Sequence, residues 1–147
     1  MRLLVPRVSA PGLAFTVGTR LVPGVVFVIF GADEFVNHAR DVRSFTLYGL
    51  PSPSAFSYAV GSLEIFGGLA LLAGIALLPV AIALAGDMVG AIVVSGIALG
   101  ELVSLTLAPA MLVAMLALIM RELRHRHDLP RHDKEISHGH RRSARLT

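Results

Sequence analysis

The sequence consists mainly of long apolar runs that are separated by short polar breaks. Four runs are long enough to cross a bilayer, since a membrane-spanning helix needs about 20 predominantly apolar residues. They predict four helices, called spans 1 to 4 below, at residues 13–37, 55–78, 80–99 and 102–120. The links between spans 2, 3 and 4 are very short, so these helices must be antiparallel neighbours. The pattern therefore predicts an all-α membrane protein with an antiparallel four-helix bundle.

Two polar segments lie outside the predicted spans. Residues 38–54 form a turn-rich stretch between spans 1 and 2, which we predict to be a loop. The carboxyl end is basic and rich in histidine, and 12 of the 23 Lys, Arg, Asp and Glu residues lie in the last 27 positions. We predict a transmembrane domain over residues 1–122 and a polar, disordered tail over residues 123–147.

The distribution of basic residues predicts the orientation of the chain. Both ends are basic, whereas the predicted loop contains only Arg40 and Arg43. Cytoplasmic segments next to membrane spans carry an excess of Lys and Arg. We therefore predict a multi-pass protein of the inner (plasma) membrane with both termini in the cytoplasm. The basic residues flank membrane spans, so they indicate contact with the lipid bilayer and not with nucleic acid.

The composition excludes several kinds of chemistry. The chain has no cysteine, which rules out disulfides, thiol catalysis and cysteine-ligated clusters within it. No predicted span contains a histidine pair, so the chain is not expected to hold a haem with two histidine ligands. The histidines of the tail match no closed zinc pattern, and no metal site is assigned, although metal binding by the tail stays a minor alternative.

Five charged residues lie inside the predicted spans, and the three that are away from the span ends form the candidate polar centre: Arg20, Glu64 and Asp87. Each acid costs about 2.5–3.5 kcal/mol at the middle of a bilayer, so a partner is expected. Counting about 1.5 Å per residue puts Arg20 and Asp87 at similar depths. We expect these two to form an ion pair with Glu64 beside them. The alternatives are a binding or catalytic centre and a cluster that only specifies helix packing.

Two further acids end span 1, where the predicted loop begins. Asp33 and Glu34 would lie at the outer membrane interface. The favoured interpretation is that they are solvated or that they pair with Arg40 or Arg43.

Small residues predict where helices approach closely. Glycines spaced by about one or two helical turns allow backbones to come into contact. The candidates for helix packing are Gly61, Gly68, Gly86, Gly90, Gly96 and Gly100. We expect packing within the chain, and a homo-oligomer interface is the alternative.

Several short motifs, in order, resemble the DoxX-type family of small membrane proteins. Their order and spacing, over roughly residues 20–100, are more specific than any single motif. The matching residues are Arg20, Gly24, Phe27 and Gly31 in span 1, then Gly49-Leu50-Pro51, then Gly61-x-x-Glu64-x-x-Gly67-Gly68 in span 2. Family members often carry a lysine shortly after the span 1 glycine, but here Gly31 is followed by Ala32-Asp33-Glu34. Any role of that lysine is therefore in doubt.

The resemblance implies a four-helix inner-membrane bundle associated with redox chemistry. Some relatives look like subunits of thiosulfate:quinone oxidoreductase, and others are linked to thiol-handling complexes with soluble partners. We therefore predict a redox-linked membrane subunit, with a quinone between the helices as the candidate cofactor and Arg20, Glu64 and Asp87 as its polar groups. A soluble redox enzyme or a second membrane subunit would be the partner.

Two other functions stay open at this point, and so does the question whether the chain is itself an enzyme. The first is a non-enzymatic scaffold that recruits a soluble partner through its basic tail. The second is a small proton-coupled permease.

Overall fold

The computed structural model describes residues 10–97, 100 and 102–143, with side chains at 11–97, 100 and 102–126. Four of its helices are long and apolar enough to cross a membrane: Pro11–Val36, Pro53–Ala73, Leu77–Ile97 and Leu102–Arg126. The prediction of an all-α protein with four membrane spans is confirmed, and the chain is a multi-pass membrane protein.

Each span is one helix or a chain of contiguous helical segments. Span 1 is Ala10–Thr16, π-helical Val17–Leu21 and Val22–Val36. Span 2 is Pro53–Ala73, span 3 is Leu77–Gly90 with π-helical Ala91–Ile97, and span 4 is assigned as Leu102–Ser143. Span 4 thus continues beyond its predicted end at residue 120. The disorder of the tail stays a prediction, and the metal alternative depends on side chains outside the described residues.

The turn between spans 2 and 3 differs from the prediction. Span 2 ends at Ala73 because Gly74 adopts φ +75° and terminates the helix. The Ile75 N–H then donates to the carbonyl of Ala70 at 3.0 Å, as in a glycine-capped helix end. Pro79 lies inside the first turn of span 3, where its missing N–H is tolerated, and does not mark the boundary.

The predicted loop between spans 1 and 2 is wrong in part, because residues His38–Leu47 form a helix, called the connecting helix below. This helix is amphipathic: Asp41 and Phe45 are partly buried on one face, whereas Arg43 and Leu47 are exposed. Charged residues interrupt the apolar positions, so the helical period is hard to see in the sequence. Packing of its partly buried face against span 2 stabilises the helical conformation of this segment.

Spans 1 and 2 are in contact at backbone distance through two pairs of glycines. A Cβ built on Gly24 would lie 3.0 Å from the Gly68 carbonyl oxygen, and one on Gly31 would lie 2.7 Å from that of Gly61. The glycines are seven residues apart on each helix, which is the spacing of a left-handed helix crossing. This close contact sets the register between the two spans.

Spans 3 and 4 form a second pair, and side chains fill the space between them. The core includes the buried residues Leu84, Met88, Met111 and Met115. The two pairs meet in the half of the bundle near the chain termini, where Leu84 lies against Gly67. Span 4 also packs there on the π-helical part of span 1. In the other half, the connecting helix packs on spans 1 and 2.

Candidate functional site

A cavity of about 790 Å³ lies between the two helix pairs, and it is called the cleft below. All four spans line it, and its mouth is lined by Asp41 and Ser44 of the connecting helix and by Tyr48, which follows that helix. The walls are mostly apolar and include the aromatic rings of Phe30 and Phe56. Such a concave apolar site with a few polar groups is the usual form of a ligand pocket.

Glu64 and Asp87 are brought together on the wall of the cleft. Glu64 is only 6% exposed, and its carboxyl group lies within hydrogen-bonding reach of that of Asp87. Two carboxyl groups this close repel each other when both are ionised, so the arrangement favours one proton shared by the pair. The two residues meet because each is about ten residues, or about 15 Å, from the turn between spans 2 and 3.

Glu34 is a third acid of the cleft, and it is half-buried, whereas the sequence favoured a solvated or ion-paired residue. Its Oε2 atom is fully buried without a hydrogen-bond partner. A Cβ on Gly61 would lie 3.1 Å from this oxygen, and a Cβ on Gly31 would lie 2.9 Å from the Cβ of Glu64. Spans 1 and 2 thus each contain one Gly-x-x-Glu segment, and the glycine of each segment packs against the glutamate of the other. That repeated spacing is the signal that could have revealed Glu34.

An ion-pair cluster lies at the mouth of the cleft. The Arg40 Nη2 donates to Asp33 Oδ2 at 2.6 Å, and the Arg40 Nε donates to Asp41 Oδ1 at 3.2 Å. These hydrogen bonds raise the pKa of the Arg40 guanidinium, so Arg40 stays charged. The structure thus shows Asp33 paired with Arg40, one of the two options that the sequence left for it. Asp41 also has a buried oxygen, Oδ2, without a hydrogen-bond partner.

Polar contacts attach the connecting helix at both of its ends. At its start, the two ring nitrogens of His38 lie 3.1 Å from the hydroxyls of Ser57 and Ser54 in span 2. Just after its end, the Tyr48 hydroxyl donates to Ser95 Oγ in span 3 at 3.2 Å. The connecting helix therefore bridges the two helix pairs across the mouth of the cleft.

Arg20 does not join the acids, and the predicted Arg20–Asp87 pair is wrong. The Arg20 Nε donates to the carbonyl oxygen of Leu71 at 3.2 Å, and the guanidinium lies against Gly74. It thereby adds a second hydrogen bond to a carbonyl in the last turn of span 2, which also accepts from the Gly74 N–H at 3.2 Å. The glycine contacts place Arg20 beside this helix end, whereas Asp87 lies further along the bundle at the level of Glu64.

The glycines of span 3 also differ from expectation. Gly86 and Gly90 line the cleft, and a Cβ on either would meet nothing within 4 Å, so the predicted helix packing through them is wrong. Gly96 lies against Leu105 of span 4, where a Cβ would be 2.9 Å from that side chain. Gly100 has φ +70° and open space around it, so it serves the turn and not packing.

The arrangement suits a small, mostly apolar ligand that exchanges protons with the protein. Carboxyl groups in a water-poor site can donate or accept protons when they lie within reach of the ligand. No group of three or more His, Cys, Asp or Glu side chains with the geometry of a metal site occurs in the described part of the chain.

Comparisons with known proteins agree with this architecture. The family model described as DoxX matches residues 15–97, which include Glu34, Glu64 and Asp87 but not span 4. The curated protein "Putative oxidoreductase CatD" of Bacillus subtilis (strain 168) is 30% identical over 83 residues. That alignment covers 54% of this chain and 60% of the length of the relative. No solved structure matches the chain significantly.

Proposed function

This chain belongs to the DoxX family, and on that premise we propose that it is a redox-linked membrane subunit whose cleft binds a quinone. The quinone ring would lie against the Glu64–Asp87 pair. The family relationship supports a membrane oxidoreductase context, because one relative carries the name of an oxidoreductase.

The observation that carries the proposal is a pair of adjacent carboxyl groups, Glu64 and Asp87, on the wall of an apolar cleft. Reduction of a quinone to a quinol takes up two electrons and two protons. A proton shared by the Glu64–Asp87 pair could pass to a ring oxygen of a bound quinone, and the resulting carboxylate would be available as a base for the reverse reaction. The chain contains no cysteine thiol that could donate the electrons, and in this proposal a reduced redox partner supplies them.

The size and walls of the cleft agree with such a ligand. Pockets for small molecules usually measure about 300–1,000 Å³, and the cleft measures about 790 Å³. Phe30 and Phe56, which line the cleft, are 40% and 43% exposed, so apolar ligand surface can meet aromatic rings there. A lipid-soluble quinone also reaches the bundle directly from the bilayer.

The proposal includes the orientation and the partner. The excess of basic residues at both ends supports an inner (plasma) membrane location with cytoplasmic termini. The connecting helix would then lie at the outer face. A soluble redox enzyme or a second membrane subunit would supply the electrons, and the basic tail is a suitable attachment point for it.

One observation favours a second candidate function, a proton-coupled carrier of cations. Five acidic side chains line the cleft against one arginine, Arg40, so the site carries an excess of negative charge. A cation that displaced the proton between Glu64 and Asp87 would be exchanged for that proton. The carrier and the quinone site therefore use the same pair but differ in the ligand.

Quinone binding by the purified protein tests the proposal. The protein is isolated in lipid nanodiscs, and its retained quinones are extracted and quantified by mass spectrometry. Short-chain ubiquinone and menaquinone analogues are then titrated into quinone-free protein. We expect binding of at least one analogue, weakened about tenfold in Glu64→Gln and in Asp87→Asn, which corresponds to about 1.4 kcal/mol.

The matched control is Glu122→Gln, since Glu122 lies on span 4 and does not line the cleft. This variant should bind the analogues as the wild type does. Absence of quinone binding, together with uptake of a cation into vesicles driven by a pH gradient, would replace the quinone proposal by the carrier.

A further inference from the structure

We propose that Glu34 and Asp41 carry protons between the Glu64–Asp87 pair and the membrane face at which the connecting helix lies. The inference rests on the proposed function in that the quinone reaction is the source or the consumer of the protons. It adds two proton-transfer residues and one side of the membrane to that function.

The first step concerns Glu34, which lies beside the pair. The reciprocal packing of the two Gly-x-x-Glu segments places Gly31 against Glu64 and Gly61 against Glu34. Glu34 Oε2 and Asp87 Oδ2 are both fully buried, and neither has a hydrogen-bond partner. Two such oxygens on the wall of one cleft are suited to exchange a proton with each other, directly or through a bound water molecule.

The second step leads from Glu34 to the mouth. Asp41 lies on the connecting helix and also lines the cleft. One of its oxygens is buried without a partner, whereas the other accepts a hydrogen bond from Arg40. The Arg40 and Asp33 side chains are 64% and 42% exposed, so Asp41 lies between the buried acids and groups in contact with the exterior.

The opposite direction is closed by apolar packing. Between the pair and the half of the bundle near the termini lie side chains that are at most 1% exposed: Leu71, Leu84, Met115 and Leu118. A proton needs a hydrogen-bonding group or a water molecule at each step, and these side chains offer neither. Exchange is therefore directed to the face of the connecting helix.

The charged and titratable groups that face the cleft come from three spans and the connecting helix. They are Asp33 and Glu34 of span 1, Arg40, Asp41 and Tyr48 in and after the connecting helix, Glu64 of span 2 and Asp87 of span 3. The described side chains of span 4 that line the cleft do not titrate. Arg40 is held by Asp33 and Asp41 at the mouth, which leaves Glu34 as the carboxyl group between Asp41 and the pair.

The proton balance of the reaction is simple. Reduction of a quinone would take two electrons from the reduced redox partner and two protons from the pair, one at a time. After each transfer the pair would regain a proton from Glu34, Glu34 one from Asp41, and Asp41 one from water at the connecting-helix face, so that two protons leave that water for each quinol formed. Oxidation of a quinol reverses each step.

The test measures protonation of the pair by infrared spectroscopy of the carboxyl C=O band. The wild-type protein is reconstituted into liposomes with one orientation, and the pH is changed rapidly on one side. We expect a fast band change when the pH is changed at the connecting-helix face. In Glu34→Gln and in Asp41→Asn the change should be about tenfold to a hundredfold slower.

Two further variants make the result unambiguous. Glu122→Gln, which changes a carboxyl group outside the cleft, should respond as the wild type does. Glu34→Asp, which keeps a carboxyl group, should recover most of the rate, whereas a purely structural role of Glu34 would leave it as slow as Glu34→Gln. Equal rates in wild type and Glu34→Gln, or a faster response from the other face, would overturn the relay.

Failure of the relay and failure of the quinone proposal are distinguishable. If Glu34→Gln exchanges protons normally but no longer binds the quinone analogues, Glu34 is a ligand contact, and the relay is wrong while the quinone site stands. If the wild type binds no quinone and Glu34→Gln still slows exchange, the relay stands and the quinone site is wrong.

Discussion

The two helix pairs are built in different ways. Spans 1 and 2 are in backbone contact through Gly24, Gly31, Gly61 and Gly68, so no side chain separates them at the crossing points. Spans 3 and 4 are separated by larger side chains, including Met88, Met111 and Met115. Backbone contact allows one register only, whereas flexible methionine side chains can adapt to small shifts. The first pair therefore holds Glu34 and Glu64 in place, and the second pair forms the adaptable wall of the cleft.

This difference is useful for a site that must both position acids and admit a ligand. Within the lipid, helix association depends on packing and polar contacts because the lipid tails are as apolar as the side chains. The glycine contacts therefore have a large share in the stability of the first pair.

The largest effect is expected from Gly31→Leu. A Cβ at this position already lies 2.7 Å from the Gly61 carbonyl oxygen, so a larger side chain must push the two backbones apart. We expect the free energy of unfolding to fall by about 3 kcal/mol or more, measured by denaturant titration in mixed micelles. Gly86→Leu is the control, since open space surrounds Gly86 and stability should change little. Equal losses in both variants would contradict the difference between the pairs.

A smaller effect is expected from Arg20→Ala, which removes the polar contact at the end of the first pair. Arg20 donates a charged hydrogen bond to the Leu71 carbonyl, and such bonds contribute about 1.5–3 kcal/mol. Unfolding in the same micelles should reveal a loss of this size. Arg43→Ala, on the exposed face of the connecting helix, should stay within about 0.5 kcal/mol of wild type. A loss confined to Arg43→Ala would show that Arg20 has no role as a cap.

Tyr48→Phe should have a modest and local effect on the bridge between the pairs. It removes the hydrogen bond to Ser95, which contributes about 0.5–1.5 kcal/mol. We expect faster amide hydrogen exchange in the connecting helix, measured by mass spectrometry. Tyr58→Phe, which keeps the ring that stacks on His38, is the matched control. Unchanged exchange in Tyr48→Phe would mean that the connecting helix is held by His38 and Arg40 alone.

The smallest effect is expected from Met115→Leu in the second pair. Met115 is fully buried, but leucine has a similar volume, so the loss should be below about 1.5 kcal/mol. Thermal unfolding in detergent gives the value. A loss as large as that of Gly31→Leu would show that the second pair is packed as strictly as the first.

The number of spans could be predicted from the sequence alone, since a run of about 20 apolar residues is typical of a helix that crosses a membrane. It also marked Glu64 and Asp87, because an acid inside such a run is costly wherever the helices lie. The end of span 2 at Ala73 could not be predicted from hydrophobicity, because the apolar run continues past the helix end to Leu78. The apolar pattern gives no sign that Gly74 adopts a positive φ angle.

Which of the charged residues are in contact follows from the packing of the helices and not from the sequence pattern. The register of the glycine contacts put Arg20 at the end of span 2, away from Asp87, although counting along each helix gave both a similar depth. The same contacts buried Glu34 against Gly61, at a position that reads as exposed in the sequence. The physical reason is that helix periodicity defines the face of a residue, whereas its partner depends on how neighbouring helices are rotated and shifted when they pack.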